Sequence, residues 1–375
     1  MQEKDKEIHV ITLNIPDPPN YGGMIDTFYR IKALHSLGVK IHLHCFEYGR
    51  CTSNMLEKIC ETVHYYPRRK GWLVNFTTKP FIVASRNSDL LLQQLLKDKL
   101  PILFDGLHTT FHLSNPALKD RFKAVRLHNI EHLYYRNLYS LEPLFTKKMF
   151  FFLEAIRLRY YERVLSNAKL CFPISIIEFD YFDQKYKNAA YLPSFHPFKT
   201  IMSLPGKGKF ILFHGDLSVS ENIQTCTWLI REVFSKSKYP CIIAGKKPPE
   251  SIRRLVSDFT NITIVADPKE EQMSMLIREA HIHILMALKN NGLKLKLLIS
   301  LFAGRYCLVN PIIVENTIFD KLCFVASNAS EFLQNIDRLM EKPFTQDAID
   351  VRKNLLNIEY NNDSNALKMI NAMMP

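Results

Sequence analysis

Two lysines lie in the first turn of a predicted helix, where a phosphate could bind. The stretch NNGLKLKLLISLFAG (Asn290 to Gly304) places Lys294 and Lys296 directly after a glycine. The helix dipole and the unpaired backbone N–H groups disfavour cations at this end and favour anions. These N–H groups and the two ammonium groups could together hold a diphosphate. The alternative is that both lysines extend into solvent, at a cost of about 0.5 kcal/mol each.

A second candidate anion site follows the first predicted strand. PDPPNYGGMIDTFYRI (Pro16 to Ile31) is rich in proline and glycine, and it runs into a predicted helix. Gly22 and Gly23 would let backbone amides approach a ligand at that helix N-terminus. The stretch matches neither the dinucleotide pattern GxGxxG nor the P-loop pattern GxxxxGK[ST]. A plain tight turn explains the two glycines equally well.

A histidine just beyond a predicted strand could bind a sugar or a phosphate. VRLHNIEHLYYRNL (Val125 to Leu138) contains His128, with His132 four residues later. The spacing is not a metalloprotease HExxH, because Glu131 stands in the wrong place, so we expect no metal site. A histidine at a strand's carboxyl end can hydrogen-bond a ligand there. The alternative is a capping histidine that supports the loop.

Two more strand-to-loop junctions carry glycine followed by polar residues. FHGDLSVSENI contains Gly215 and Asp216, and IIAGKKPPE contains Lys246 after Gly245. Two such loops on one sheet edge would suit the phosphates and ribose of a nucleotide better than either loop alone.

A long predicted helix is rich in aromatic and basic residues. It is FTKKMFFFLEAIRLRYYERVL (Phe145 to Leu165). We predict that its aromatic face is core and that its lysines and arginines are solvated. The alternative is a surface that contacts anionic lipid or a lipid-linked acceptor.

Positioning these residues requires strands that end at a common edge. Strand-like and helix-like segments alternate in both halves, with AAYLP (Ala189 to Pro193) as the last strand-like segment of the first series. This alternation predicts an α/β protein with two Rossmann-like, doubly wound parallel-sheet domains facing a cleft. The predicted domains are residues 1–191 and 209–344, joined by a proline- and glycine-rich linker at 192–208, with a helical tail at 345–375.

Composition limits the class of protein. A length of 375 residues favours about two domains, and 47% hydrophobic with 23% charged residues is typical of soluble globular proteins. Eight scattered cysteines without a CxxC pair indicate a reducing cytoplasm, and no secretory or spanning apolar segment is present. The net charge of +12 favours an anionic partner, such as a nucleotide phosphate or lipid headgroup, and no nucleic-acid motif is found.

Taken in order, these motifs resemble a known family. PDPPNYGG, HNIEHLYYRNL, FHGDLSVSENI, IIAG and NGLKLKLLISLFAGRYCLVN are similar to segments of the bacterial family 4-like (group 1) retaining glycosyltransferases. The last segment resembles that family's G-x-K-x-K-L-L…A-x-G-R block. The resemblance covers most of the chain. It implies the GT-B fold, with a C-terminal helix that crosses back to the first domain.

The resemblance also implies roles for individual residues. The implied donor-binding residues are Gly22, Gly23, Gly215, Asp216, Lys246, Gly292, Leu293, Lys294 and Lys296, and the implied catalytic residues are His128 and Asn291. Two departures stand out. The family commonly has two glutamates eight positions apart, where this chain has Asn291 and Ile299. The family also has a basic residue before an asparagine, where this chain has Glu221 before Asn222.

The activity implied by the resemblance is transfer of a hexose-type sugar from a nucleotide sugar to a hydroxyl acceptor, with retention, in bacterial surface glycan assembly. No DxD motif is present, so lysines and helix N-termini are expected to stabilise the leaving diphosphate without a metal ion. No cofactor is expected. The expected partners are the nucleotide sugar, a glycan or lipid-linked acceptor and the anionic inner face of the membrane. The replaced glutamates motivate one alternative, a non-catalytic binding or regulatory relative, and a nucleotide-sugar epimerase of the same fold is another.

Overall fold

The computed structural model describes residues 6–20, 22–71, 77–289 and 295–374. The chain forms two compact units. Unit 1 contains Met1–Pro197 and Tyr360–Pro375, and unit 2 contains Phe198–Asn290 and Lys294–Glu359. The chain therefore returns to unit 1 at Tyr360 and not at the predicted residue 345.

Unit 1 is built on a six-stranded parallel sheet. Its strands are β1 (Glu7–Thr12), β2 (Lys40–Glu47), β3 (Thr62–Pro67), β4 (Ile102–Asp105), β5 (Lys123–Leu127) and β6 (Leu170–Pro173). Its helices are α1 (Gly22–Ser36), α2 (Asn54–Ile59), α3 (Phe81–Ala84), α4 (Asp89–Leu95), α5 (Glu131–Leu141), α6 (Phe145–Tyr161), α7 (Ile176–Tyr186) and, from the end of the chain, α15 (Asn362–Met373). The strand order is β3-β2-β1-β4-β5-β6. The strand order changes direction between β1 and β4. Open α/β sheets bind ligands at the carboxyl ends of the strands beside such a reversal.

Both faces of this sheet are covered, as a parallel sheet requires. One core contains Val10 and Leu43, and the other contains Ile11 and Phe104. α15 completes the first core, since Met369 and Ile370 pack with residues of α1. Within unit 1, the segment before Pro197 is hydrogen-bonded to the segment that begins at Tyr360. Asn362 Nδ2 donates to the His196 carbonyl at 2.7 Å, and a His196 ring nitrogen lies 2.6 Å from the Tyr360 carbonyl.

Unit 2 repeats the plan with a second six-stranded parallel sheet. Its strands are β7 (Ile211–Asp216), β8 (Cys241–Lys246), β9 (Ile262–Ala266), β10 (Ile282–Leu285), β11 (Tyr306–Val309) and β12 (Phe324–Val325). Its helices are α8 (Ser220–Glu232), α9 (Glu250–Ser257), α10 (Glu270–Glu279), α11 (Leu295–Ala303), α12 (Pro311–Val314), α13 (Ala329–Glu341) and α14 (Gln346–Glu359). The strand order is β12-β11-β10-β7-β8-β9, and the reversal lies between β7 and β10. The two sheets confirm the predicted α/β class.

The C-terminal boundary differs from the prediction because α14 is fastened to unit 2. Arg352 on α14 is buried and donates to the carbonyls of Leu301 and Gly304 at 3.1 and 2.7 Å. It also donates to Ser203 Oγ at 3.2 Å. Only the helix after Tyr360 belongs to unit 1.

The segment Ala189–Pro193 is not the strand that we predicted. It lies beside β6, and Leu192 N donates to the Pro173 carbonyl at 3.1 Å, but the regular pairing is limited to an isolated bridge between Ala189 and Cys171. The carbonyls of Leu192 and Pro193 accept from Arg126 at 2.6 and 2.9 Å. This beginning of the predicted linker is thereby fixed to unit 1.

The prediction that the aromatic face of α6 is core is wrong. Only Glu154 and Leu158 are buried on this helix. Phe145 is 72% exposed, and Phe152 and Ile156 are also exposed. Among the described residues, no helix is long and apolar enough to span a bilayer.

Candidate functional site

The loop after β1 leads to Gly22 and Gly23, which open α1. A Cβ added to either glycine would meet no atom within 4 Å, so no neighbouring side chain requires glycine there. Arg50 holds the loop, because it donates to the carbonyls of Ile15 and Pro18 at 3.0 and 2.6 Å. Arg50 therefore fixes the part of the loop between Ile15 and Pro18, and sequence reasoning missed this arginine.

A buried network of charges lies behind this loop. Asp26 on α1 accepts from Arg30 at 2.7 Å and from Arg126 on β5 at 2.7 and 3.1 Å. Arg30 also donates to Asp105, at the end of β4, at 2.6 Å. Burial alone would raise the pKa of Asp26, but Arg126 and Arg30 outweigh it and lower the value to about 2. The network ties α1, β4 and β5 together at the carboxyl edge of the sheet.

His128 projects from this network. Its Nε2 lies 3.1 Å from Asp105 Oδ1, its Nδ1 lies 4.0 Å from Asp26 Oδ2, and the side chain is 11% exposed. The predicted position after β5 is thus the observed one. Asp105 orients the ring through one nitrogen, and the ring keeps a partly accessible edge.

Asp26, Asp105 and His128 have the ligand atoms and the spacing of a candidate metal cluster, since one atom from each lies within 4.8 Å of the others. The carboxylate oxygens, however, already accept from Arg30, Arg126 and Thr27. Two guanidinium groups balance the two carboxylates, which fits an ion-pair network and fits a divalent cation poorly.

Glu131, from the HNIEH motif, is buried at the start of α5. Burial raises the pKa of its carboxyl to about 8, so it keeps its proton at neutral pH. Its Oε1 lies 3.9 Å from His108 Nδ1, a buried atom with no hydrogen-bond partner in the described part of the chain. Burial also holds the pKa of His108 well below its usual value. Sequence spacing did not reveal this pair of neutral groups beside His128.

In unit 2, two glycines bring neighbouring strand ends into close contact. A Cβ at Gly245, on β8, would lie 1.9 Å from the Gly215 carbonyl oxygen on β7. A Cβ at Gly215 would lie 3.4 Å from the Asn222 side chain, on α8. The first glycine is required by packing, and the second leaves room for the α8 start beside β7.

The predicted residue Asp216 shapes the loop after β7. Its Oδ1 accepts from Ser218 N and Oγ at 2.9 and 2.6 Å, and its carbonyl accepts from Asn222 Nδ2 at 2.8 Å. Glu221 accepts from Leu288 N at 2.9 Å, which ties α8 to the segment after β10. The acidic residue that departs from the family pattern therefore has a structural partner.

Lys296 lies at the point where the strand order of unit 2 reverses. It is in the first turn of α11, the helix that connects β10 to β11. Its Nζ lies 3.3 Å from Asn222 Oδ1 and 5.8 Å from the centre of the Phe213 ring on β7. One turn later, Ser300 contacts His214 Nε2 at 3.1 Å. Burial and then Lys296 lower the pKa of His214 to about 3, so this histidine is neutral.

Lys246 and Ile299 have different surroundings. Lys246 is exposed at the end of β8, beside Gly215 and Asp216 at the end of β7. Ile299 packs in an apolar cluster with Phe210 and Leu212. The predicted residues outside the described part of the chain are Asn291, Gly292, Leu293 and Lys294.

The structure thus brings the predicted residues together as two sets. Gly22, Gly23 and His128 lie at the carboxyl edge of the unit 1 sheet. Lys296 meets the Gly215–Asn222 loop at the carboxyl edge of the unit 2 sheet, with Lys246 on the next strand. Such edges are where doubly wound sheets bind ligands.

No protein-family model matches the chain. A curated relative is an uncharacterized 44.6 kDa protein in the cps region of Klebsiella pneumoniae. It is 29% identical over 316 residues, which are 77% of this chain and 79% of that protein.

Solved structures match nearly the whole chain. Sucrose-phosphate synthase from Thermosynechococcus elongatus has a TM-score of 0.72 at 13% identity, over 97% of both chains. HepE from Anabaena, in complex with UDP and glucose, has a TM-score of 0.65 at 10% identity, over 98% of this chain and 99% of that one. A TarM mutant from S. aureus, in complex with fondaparinux, alpha-GlcNAc-glycerol and UDP, has a TM-score of 0.64 at 11% identity, over 99% and 100%. These neighbours are GT-B glycosyltransferases, and the predicted two-domain GT-B fold is confirmed.

Proposed function

We propose that the protein is a glycosyltransferase that moves a sugar from a nucleotide-sugar donor to a hydroxyl acceptor. The observation that carries the proposal is the position of Lys296. Lys296 is a cation in the first turn of α11, at the strand-order reversal of unit 2, and this position supports a diphosphate site because ammonium and helix N-terminal N–H groups both bind phosphate. UDP in complex with HepE and with TarM supports a nucleotide as the anion.

The residues of unit 1 support the same reaction. His128, oriented by Asp105, offers a ring edge that can hydrogen-bond a sugar hydroxyl. Gly22 and Gly23 open a helix without a Cβ, so a phosphate can approach their backbone amides closely.

Several finer features belong to this proposal. The donor sugar is a hexose, transferred with retention, and the leaving phosphate takes the proton of the acceptor hydroxyl. Lysines and helix N-termini balance the diphosphate charge without a metal ion. The acceptor belongs to a bacterial surface glycan, which the cps-region relative supports.

The test is a screen of UDP-, GDP- and ADP-hexoses for donor hydrolysis, together with calorimetry of nucleoside diphosphate binding. Lys296→Ala is expected to weaken binding by about 10- to 100-fold, which is the loss of one charge-assisted hydrogen bond. The matched control is Lys236→Ala, since Lys236 is an exposed lysine paired with Glu232 on α8. Equal behaviour of the two variants, or no binding of any nucleoside diphosphate, would overturn the proposal.

Two further readouts test the finer features. The anomeric configuration of the product, read by NMR, must match that of the donor if transfer proceeds with retention. Turnover in excess chelator must persist if no metal ion takes part.

We further propose that α6 places the enzyme on an anionic membrane face. Several of its apolar side chains are exposed, including Phe145 and Phe152, and its one glutamate, Glu154, is buried. Phe145→Ser with Phe152→Ser is expected to reduce sedimentation with phosphatidylglycerol vesicles, because the apolar contact with lipid is lost. Ile358→Ser, which changes a 76% exposed residue on α14, is the control. Equal binding by both variants would exclude α6 as the contact.

A further inference from the structure

A cavity of about 260 Å³ lies within unit 2 at the edge of the sheet opposite Lys296. Its walls come from segments that precede three neighbouring strands. Leu204–Lys209 precedes β7, Arg278–Glu279 precedes β10, and Arg305 precedes β11. Because all strands of this sheet are parallel, these segments share its amino-terminal edge. Gly215 lies four residues after Ile211, the first residue of β7, which places it about 13 Å from that edge.

Arg305 is the central feature of the cavity. The residue is 7% exposed, and its Nη1 donates to the carbonyls of Arg278 and Ala280 at 2.6 and 3.2 Å. Its Nε is buried and has no hydrogen-bond partner within the described ranges. Burial lowers the pKa of Arg305, and no carboxylate contributes an opposing shift. A buried guanidinium without a counter-charge is costly, and an anion in the cavity would compensate it.

The remaining charges around the cavity are predominantly positive. Lys207, Lys209 and Arg278 line it with Arg305, and Glu279 is the acidic residue of the lining. Lys209 contacts Glu279 at 3.1 Å, and Lys207 contacts Glu341 at 3.6 Å. Both pairs are exposed, and exposed pairs contribute little stability, so either lysine can turn towards an anion at small cost.

The loop that carries the two lysines has a fixed shape. Gly208 N donates to His281 Nδ1 at 2.9 Å, and a Cβ at Gly208 would lie 2.5 Å from His281 N. Gly206 has a φ of +88°, and its N–H donates to the Phe344 carbonyl at 2.8 Å. Two glycines thus hold Lys207 and Lys209 at the cavity, which limits the ordering that a ligand must impose.

We propose that this cavity is a binding site for a phosphoryl group, separate from the donor edge of the sheet. The volume is below the roughly 300–1,000 Å³ of pockets for drug-sized ligands, so the site takes a phosphate or small phosphomonoester and not a whole nucleotide. The phosphoryl oxygens bind the Arg305 guanidinium and the three other cations of the lining. Free phosphate esters and phospholipid headgroups share this chemistry.

The test uses inorganic phosphate and glycerol 3-phosphate as probes in calorimetry at constant ionic strength. Arg305→Gln and Arg278→Gln are each expected to weaken binding by about tenfold, which is the loss of one charge-assisted contact. Arg278 is exposed, so its variant keeps the test valid if Arg305→Gln does not fold. Arg254→Gln, an exposed arginine paired with Glu250 on α9, is the matched control and should bind as wild type does.

Lys296→Ala should leave phosphate binding at this cavity unchanged, which separates it from the donor site. In a parallel arm, phosphatidylglycerol and phosphatidylcholine vesicles are compared with the same variants. If vesicle binding depends on Arg305 and free phosphate does not bind, the phosphoryl ligand of this cavity is a lipid headgroup. That outcome also supports the site. Absence of saturable binding in both arms overturns the proposal. Equal weakening by Arg254→Gln, or loss of binding in Lys296→Ala alone, also overturns it.

Discussion

Removing the charge of Asp26 tests the buried network that positions His128. Asp26 is 1% exposed and accepts from Arg30, Arg126 and the Phe195 N–H. Asp26→Asn keeps the shape of the side chain and removes its charge. Two guanidinium groups then remain buried with only Asp105 as a carboxylate partner.

The size of the effect follows from the pKa. The folded value of about 2, against 3.8 for the free group, corresponds to about 2 kcal/mol of stability at neutral pH. Substitution costs more, about 3–5 kcal/mol, because it also leaves buried cations under-compensated. Because the folded pKa is the lower one, this contribution is complete above about pH 4 and is lost as pH falls through about pH 2.

The assay is urea unfolding of the wild type and of Asp26→Asn, followed at several pH values. The difference in unfolding free energy should be constant near neutral pH and should shrink below about pH 4. Asp180→Asn, at an exposed position on α7, is the control and should cost less than about 0.5 kcal/mol. A cost below about 1 kcal/mol for Asp26→Asn, or a difference that persists to about pH 2, would refute the reasoning.

Three other substitutions have distinct expected outcomes. Gly245→Ala should lower the unfolding free energy by about 3 kcal/mol or more, since its Cβ would lie 1.9 Å from the Gly215 carbonyl oxygen. The Cβ added by Gly23→Ala would meet no atom within 4 Å, so thermal denaturation should show unchanged or higher stability. The KM for the donor should rise if a phosphate approaches the amide of this residue. Glu131→Gln should become increasingly more stable than wild type as the pH rises from about 4.5 to 8, by up to a few kcal/mol in urea unfolding. The reason is that the folded pKa of about 8 makes ionisation of Glu131 oppose folding. A pH-independent difference would contradict this.

Local patterns predicted the strand ends and the residues just beyond them. His128 follows β5, and Gly215 lies in β7, because short apolar runs ending in polar loops have few interpretations in an alternating α/β chain. The glycine before it predicts that Lys296 lies in the first turn of a helix, and α11 begins at Leu295. Periodicity within one segment was sufficient for these features.

Local sequence patterns do not reveal ion pairs between side chains that are far apart in the chain. Asp26 and Arg126 are 100 residues apart, and no local pattern indicates that their side chains meet inside the protein. The wrong prediction for α6 has a related cause. Its apolar residues occur on most of its circumference, so periodicity could not distinguish a buried face from an exposed one.

The return of α15 to unit 1 has a consequence for the order of events during synthesis. The first half of the chain leaves the ribosome without the helix that covers Ile31 and Leu34. At about 5–20 residues per second, the chain from Pro197 to Asn362 takes on the order of 10 to 30 s to appear. Throughout that interval an apolar face of the first half is uncovered and open to chaperones. The half that is made first is therefore the half that finishes folding last.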